Sequence, residues 1–433
     1  MTALAPAVFA VVVLVFVAQS RRFDRLHLTA PIVFSIVGAA LARTVLTGKV
    51  DATLVRTMAE LTLALILFHD AAQVQPRQLR PDAGLCSRLL LVGLPLTVLA
   101  GLLAARVLFP PASPWLPLLL AAAVAPTDAG LGAATVLNPT VPVRVRRILN
   151  VESGLNDGLV TPVVLFAVAA TGSPSGAAGG ALVGALRELA VGLLVGIVLG
   201  ALSGRVLSHA LGAGWVMEGM LPIATLVVPL LTYYGSIAVG GNGFVAAFVS
   251  GTAFATAATR PSVALADRAA AVASFALPES VSLLLGYAVW TLFGAVAVAH
   301  FDALLSWRAL VFAVLALTVL RMGPVALALL GSRLRLRTVL FVGWFGPRGL
   351  ASVVFGLLAS ESLSKRADLQ PILGAIATTV FLSVVVHGVT AGPWAGRYGA
   401  WAQREQPAEE LAGYVEPIAR SLGTAPTQPD SDL

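Results

Sequence analysis

The sequence predicts an all-α polytopic membrane protein, and three observations predict it. Of 433 residues 58% are hydrophobic and only 11% charged, where a soluble chain carries roughly a quarter charged residues. The mean hydropathy is +0.90. The charges gather in short clusters between apolar runs of about 20 residues, each long enough to cross a bilayer. The net charge of +7 is dispersed over connecting loops, which is the pattern of topology determinants rather than of a nucleic-acid surface. A lone Cys86 excludes an intramolecular disulfide, and no Cys/His cluster has metal-ligand spacing.

Hydropathy and helix breakers place thirteen spans, near 4–19, 30–46, 54–74, 85–109, 115–137, 148–171, 180–208, 219–236, 242–258, 275–299, 309–330, 338–359 and 369–394. The first run, Leu4 to Ala18, precedes Arg21 and Arg22 without a small-residue cleavage site, so it reads as a first helix rather than a removed signal peptide. An odd count puts the termini on opposite sides. Of the 28 Lys and Arg, eighteen fall in loops on one side, eight on the other, and Arg321 and Arg348 inside spans. The bias places the N-terminus outside and the C-terminus in the cytoplasm. The Gly/Ser/Pro stretch 171–180 separates six spans from seven, which suggests an inverted repeat of spans one to six and eight to thirteen with span seven as linker. From about Gln403 the chain turns polar and closes in TAPTQPDSDL, expected to be a disordered cytoplasmic tail.

Ionisable groups within apolar spans carry the functional information, because each costs about 3 kcal/mol on insertion scales and usually faces a cavity or a partner. Six carboxylates qualify: Glu60, Asp70, Asp128, Glu152, Asp157 and Glu279. Arg348 is the deepest base, with Arg321 closer to a span end. Glu60, Asp70 and Glu279 also fit span ends or a polar seam, whereas the other three cluster.

In span six, NVESGLNDG sets Glu152 and Asn156 at i, i+4, and Ser153 and Asp157 likewise on the adjoining face. In span five, APTDAG contains Pro126, which removes a backbone hydrogen bond and leaves Thr127 and Asp128 at a helix discontinuity whose freed carbonyls suit a cation. In span twelve, GPRG at 346–349 again joins helix breakers to an ionised side chain. Paired interruptions in corresponding spans of two repeats mark a transporter site near the membrane midplane. Simple kinks at Pro126 and Pro347 would not explain the accompanying charges.

Charge balance suggests that Glu152 and Arg348 neutralise one another, with Asn156 one turn away to complete their hydrogen bonds. Asp157 then remains as the carboxylate to be neutralised by a proton or a cation. Competition between the two for one carboxylate is antiport chemistry. The ligands at hand are hard oxygens of carboxylates, Ser153, Thr127 and main chain, which suit a small hard cation such as sodium.

These residues resemble the monovalent cation:proton antiporter-1 family, the sodium/proton exchangers of bacteria, archaea and animals. APTDAG resembles its Thr-Asp crossing motif, NVESGLNDG its Glu-Ser-x-x-Asn-Asp-Gly motif, GPRGLAS its Gly-x-Arg-Gly motif, and GNGFVAAFVSG at 241–251 a further family segment. The resemblance spans residues 4 to 398, with motifs in the expected order. It implies a homodimer in which residues 1–75 and 219–299 form interface domains, 85–171 and 309–394 a mobile core with two crossed broken helices, 180–208 a linker and 399–433 the tail. It assigns Asp157 as the ion- and proton-carrying carboxylate and Glu152 with Arg348 as a structural pair tied through Asn156. It implies a transported monovalent cation held by Asp157, Ser153 and Thr127 main chain, with Asp128 at the crossing and Asp70 as a weaker acidic ligand from the interface domain. Asn156 before Asp157 is similar to the electroneutral one-for-one branch. One departure is Ala129, where the family commonly has Pro directly after the Thr-Asp pair. No cofactor is implied beyond the transported sodium and proton.

Other classes fit less well. An intramembrane aspartyl protease would show a Gly-x-Gly-Asp motif and a metalloprotease His-Glu-x-x-His, and neither occurs. A cation channel shares polar broken helices and differs by conducting without exchange. Potassium or lithium competes with sodium as the ion, because cavity radius is not visible in sequence. The excess of Ala, Gly and Arg over Lys points to a GC-rich bacterial source, hence an inner, cytoplasmic membrane.

Overall fold

The computed structural model describes residues 4–25, 28–44, 52–73, 82–110, 113–128, 130–131, 133–136, 138–172, 178–217, 219–258, 276–299 and 306–412. Among them there is no strand, and the helices follow the apolar runs. Leaving aside the short helices Ser20–Arg25 and Ala133–Val136, they begin with α1 (Leu4–Ala18), α2 (Ala30–Thr44), α3 (Ala52–Gln73), α4 (Ala83–Leu108), α5 (Leu116–Val124), α6 (Val143–Gly172), α7 (Ala178–Gly212), α8 (Leu221–Ala238), α9 (Gly243–Ala258) and α10 (Ala276–Ala299). They are followed by α11 (Trp307–Leu317), α12 (Val319–Ala328), α13 (Leu336–Trp344), α14 (Leu350–Ser362), α15 (Gln370–Glu405) and α16 (Ala408–Leu411). Seven helical stretches among the described residues are long and apolar enough to cross a membrane, and α1, α2, α9 and α14 are shorter apolar helices.

Among the described residues the helices overlie the apolar runs expected from sequence, some as one helix and some as two separated by a break. Two breaks fall in spans five and twelve, where Pro126 and Pro347 lack the N–H that would continue the ladder. A third, at Thr318 between α11 and α12, has φ −116 and ψ −98 and no proline at the break itself. In α4 a π-turn at Leu89–Gly93 leads into Pro95, and the wider turn absorbs the register lost where proline has no donor.

Helices α2 and α10, α3 and α9, and α7 and α9 pack in pairs, and glycine lets their backbones meet. A Cβ on Gly38 would lie 1.8 Å from the Thr291 carbonyl oxygen, and one on Gly294 1.9 Å from that of Ser35. Along α7, Gly192, Gly196, Gly200 and Gly204 face the carbonyls of Asn242, Ala246, Ser250 and Phe254, each 2.6–2.7 Å from where a Cβ would sit. Small residues four apart give membrane helices this close approach.

At one end of the bundle the chain departs from the expected polar tail starting at 399. α15 runs on to Glu405, Trp401 and Ala402 are buried, and after a left-handed Gln406 the short α16 folds back. Glu410, 1% exposed, accepts hydrogen bonds from the Arg335 N–H at 2.8 Å and the Thr338 hydroxyl at 2.7 Å. Thr338 in turn meets the Tyr398 hydroxyl at 2.9 Å. Glu409 binds Arg144 at 3.0 Å, and Asp82 takes Arg144 at 2.7 Å and Arg147 at 2.6 Å. Polar sequence alone predicts solvation; here buried partners at the starts of α6 and α13 hold the segment instead. Residues 413–433 lie outside the described residues, as do Ala129 and the topology charges Lys49, Arg77, Arg80, Arg260 and Arg268.

Candidate functional site: the crossing of two interrupted helices

The site begins with two backbones that cannot stay helical. α5 stops at Val124 and residues 125–128 run on without helix; α13 stops at Trp344, and helix resumes only at Leu350. The two open segments touch directly, the Asp128 N–H donating to the Pro347 carbonyl at 2.8 Å. Glycine permits the contact: a Cβ on Gly349 would lie 2.0 Å from Asp128 Oδ2, and one on Gly346 2.6 Å from Arg321 Nε and 2.9 Å from Thr127 Cγ2.

Helix ends carry unsatisfied backbone groups and partial charges, positive at the N-terminus and negative at the C-terminus. The start of α14 and the ends of α5 and α11 receive a side chain of opposite sign. Asp128 Oδ2 accepts the Leu350 N–H at 3.1 Å, at the start of α14, while Oδ1 accepts the Gly130 N–H at 2.7 Å. Arg348, 1% exposed, donates to the carbonyls of Ala125 and Pro126 at the end of α5 and, at 3.2 Å, to that of Ala316 near the end of α11. The Gly-Pro-Arg-Gly run is thus a break, its close approach and its electrostatic closure in four residues.

α6 presents its polar ladders to this crossing. Glu152 is held bidentately by Arg321 of α12, at 2.5 and 2.8 Å, both side chains almost fully buried. One turn on, Asn156 Nδ2 donates to Thr127 Oγ1 at 2.7 Å, and Thr127 Oγ1 lies 2.9 Å from Ser153 Oγ. Asp157 is buried on the same helix, and its main-chain carbonyl accepts the Thr161 hydroxyl at 2.7 Å. Beside it, a Cβ on Gly158 would fall 2.3 Å from the Phe248 ring. The GNGFVAAFVSG segment therefore lays an aromatic side chain directly against α6, at the residue that follows Asp157.

This arrangement corrects one expected pairing. Glu152 is bound by Arg321, not Arg348, and Asn156 serves Thr127 rather than a Glu152–Arg348 pair. The reason is position along the helices: Arg321 follows the Thr318 break and reaches α6 from α12, whereas Arg348 sits inside a break, where orphan carbonyls occupy its guanidinium. Ser153, Thr127 and Asn156 do come together, with Asp157 one residue from Asn156. Asp128 lies at the crossing as expected, acting there as a helix cap. Asp70 is buried on α3, a helix that packs against α6 and α9. Glu60 pairs with Arg56 at 2.7 Å in the first half of α3, and Glu279 lies in the first turn of α10. Among the described residues no three His, Cys, Asp or Glu side chains group as a metal cluster. The crossing gathers hydroxyl and amide groups of Thr127, Ser153 and Asn156 on the helix that carries buried Asp157.

Comparison with known proteins agrees with this architecture. The family model for the transmembrane sodium/hydrogen exchanger matches residues 10–396. The chain belongs to that family. Among solved structures, it is similar to the sodium proton antiporter MjNhaP1 from Methanocaldococcus jannaschii at pH 8, with 19% identity, 92% of this chain and 98% of that one covered, and a TM-score of 0.73. The electron-microscopy structure of MjNhaP1 gives 18% identity, coverage of 94% and 99%, and a TM-score of 0.71. No curated protein matches the sequence. Family and fold are those of a multi-pass membrane transporter, a cation/proton antiporter and not an enzyme.

Proposed function

We propose that the exchanged cation is sodium, with lithium accepted, and that exchange is electroneutral, one cation for one proton. The observation that carries this reading is the grouping of Thr127, Ser153 and Asn156 at the crossing beside buried Asp157. Hard oxygen ligands of this kind suit a small hard cation. A single aspartate preceded by Asn156 supports a one-for-one exchange, since one carboxylate alternates between one proton and one cation. The fold is shared with MjNhaP1, a sodium proton antiporter, which supports sodium as the ion here.

In this reading Asp157 carries proton and cation in turn, Thr127 and Ser153 supply neighbouring oxygens, and Asp70 is a further acidic ligand from α3. Glu152 and Arg321 are a structural pair. Helices α4–α6 and α11–α15 move as a core against α1–α3 and α8–α10, with α7 as linker, in a homodimer whose C-terminus is cytoplasmic. The empty, ionised site crosses poorly, because an unpaired carboxylate in a low-dielectric gate costs several kcal/mol. That penalty couples the two fluxes.

Purified protein in liposomes with an imposed proton gradient tests the proposal, following lumenal pH after addition of sodium, lithium, potassium or choline, with and without a clamped membrane potential. Dissipation by sodium and lithium, insensitive to the potential, is the expected result. Potassium-selective dissipation overturns the ion, potential-dependent exchange overturns electroneutrality, and current without proton coupling moves the protein to the channels.

A further inference from the structure

One buried polar chain at the crossing has no place in the mechanism so far. His387, in an apolar stretch of α15, is 1% exposed, and Ser383 one turn earlier is fully buried. His387 Nε2 lies 2.9 Å from the Trp344 carbonyl, the last residue of α13. Nδ1 lies 3.2 Å from Ser383 Oγ and 3.0 Å from the Ser383 carbonyl. Ser383 Oγ accepts the Arg348 N–H at 2.6 Å.

With a neutral imidazole, one arrangement of protons fits these groups. The Trp344 carbonyl requires a hydrogen on Nε2, so Nδ1 in the neutral ring is an acceptor. The Ser383 carbonyl gives it nothing to accept, and the Ser383 hydroxyl is the donor within reach. The hydroxyl then turns its lone pair to the Arg348 N–H. The result is a directed chain, from Arg348 N–H to Ser383 O–H to His387, and from His387 Nε2–H to the Trp344 carbonyl. It runs from Arg348, inside the second break, to Trp344 at the end of α13. Past Phe345, whose N–H still reaches the Phe341 carbonyl, the broken helix keeps only a tight Gly346 N–H to Trp344 carbonyl bond at 2.8 Å, and a third helix adds a second connection.

We propose that His387, acting through Ser383, is a positioning residue that fixes the width of the second break and so the placement of Arg348 at the cation site. The guanidinium of Arg348 holds the Ala125 and Pro126 carbonyls, which immediately precede Thr127. The strut therefore reaches the oxygen cluster in three steps without touching the cation. The inference rests on the reading that this cluster binds the transported ion.

The test compares wild type, His387→Ala, Ser383→Ala and His387→Gln in proteoliposomes, over a concentration series of whichever of sodium, lithium and potassium the wild type exchanges. A glutamine amide carries one donor and one acceptor on a single trigonal carbon, as neutral imidazole does on its two nitrogens. Both alanine variants are expected to raise the half-saturating cation concentration by about tenfold with maximal rate within about twofold, and glutamine to stay within about threefold of wild type. Hydrogen exchange at the Arg348 amide provides a second readout independent of transport: about tenfold faster in the alanine variants and near wild type in His387→Gln. A folded Ser383→Ala or His387→Ala protein with wild-type half-saturation and amide exchange overturns the proposal. So does a glutamine variant that behaves like alanine, or a loss confined to yield and maximal rate. If His387→Ala does not fold, Ser383→Ala and His387→Gln decide. If the wild type exchanges none of the three ions, the functional reading fails while amide exchange still judges the strut.

Discussion

Two regions of this molecule are held together by different physics. In α2, α3, α7, α9 and α10 the helices meet backbone to backbone at glycines, with carbonyls where a Cβ would stand. Around α5, α6, α12, α13 and α14 they meet through an ion pair, capped helix ends and a ladder of hydroxyl and amide groups. Shape-only contacts have one register and no substitute partners, so they suit a frame. Polar contacts exchange partners, since a carbonyl or hydroxyl that binds a side chain in one state binds a cation in another. On the proposed reading the ion binds in the second region, whose groups are already matched to charge.

Substitutions should break this contrast in graded ways. The largest expected effect is on transport: Asp157→Asn reduces cation-dependent proton flux in proteoliposomes to the empty-vesicle background, while the thermal unfolding midpoint in detergent stays near wild type. Residual flux in a folded Asp157→Asn protein removes this carboxylate from the exchange. Next, Arg321→Met strands Glu152 as a buried charge, a loss of about 3–5 kcal/mol, measured as a marked fall in thermal midpoint and folded yield. Adding Glu152→Gln should recover most of it, whereas the same second substitution should not rescue Arg348→Met, whose lost partners are carbonyls. Rescue of Arg348→Met would return the pairing to Arg348.

A glycine contact gives a smaller effect of a different kind. Gly294→Ala places a methyl group against the Ser35 carbonyl and should destabilise by about 1–3 kcal/mol through overpacking, with half-saturating cation concentration unchanged. A shifted half-saturation would show that the frame and the ion site are not separate. Smallest is Asp128→Ala, which removes a partner from the start of α14 at about 1 kcal/mol; Asp128→Asn, retaining an acceptor oxygen, should recover roughly half of that in the same melting experiment.

Much of this architecture is legible in the sequence, for physical reasons that also mark where legibility stops. Apolar run length places the helices, and Pro126 and Pro347 place two breaks, because both signals are local. The spacing GLLVGIVLGALSG along α7 is a visible sign of close helix packing that hydropathy alone passes over. The third break has no such sign: Thr318 is an ordinary residue, and Pro324 lies beyond it inside α12. The partner of Glu152 depends on that break. Arg321 is 169 residues away in sequence, and which of two arginines turns toward α6 is decided by helix rotation, a tertiary property. His387 shows the same limit, a single histidine in VVVHGVT whose meaning comes only from Trp344 and Arg348 across the fold.

The folded-back end of the chain has a consequence for synthesis. The carboxylate that closes the start of α13 belongs to Glu410, 75 residues after Arg335, whose amide it accepts. At translation rates of about 5–20 residues per second, α13 waits roughly 4–15 s for that group to be polymerised. The apolar helices α1 to α15 have been made by then, so among the described residues this rim is completed last. A nascent chain that stalls ahead of residue 408 has all its apolar helices, yet the amide of Arg335 and the hydroxyl of Thr338 still lack the oxygen that arrives last.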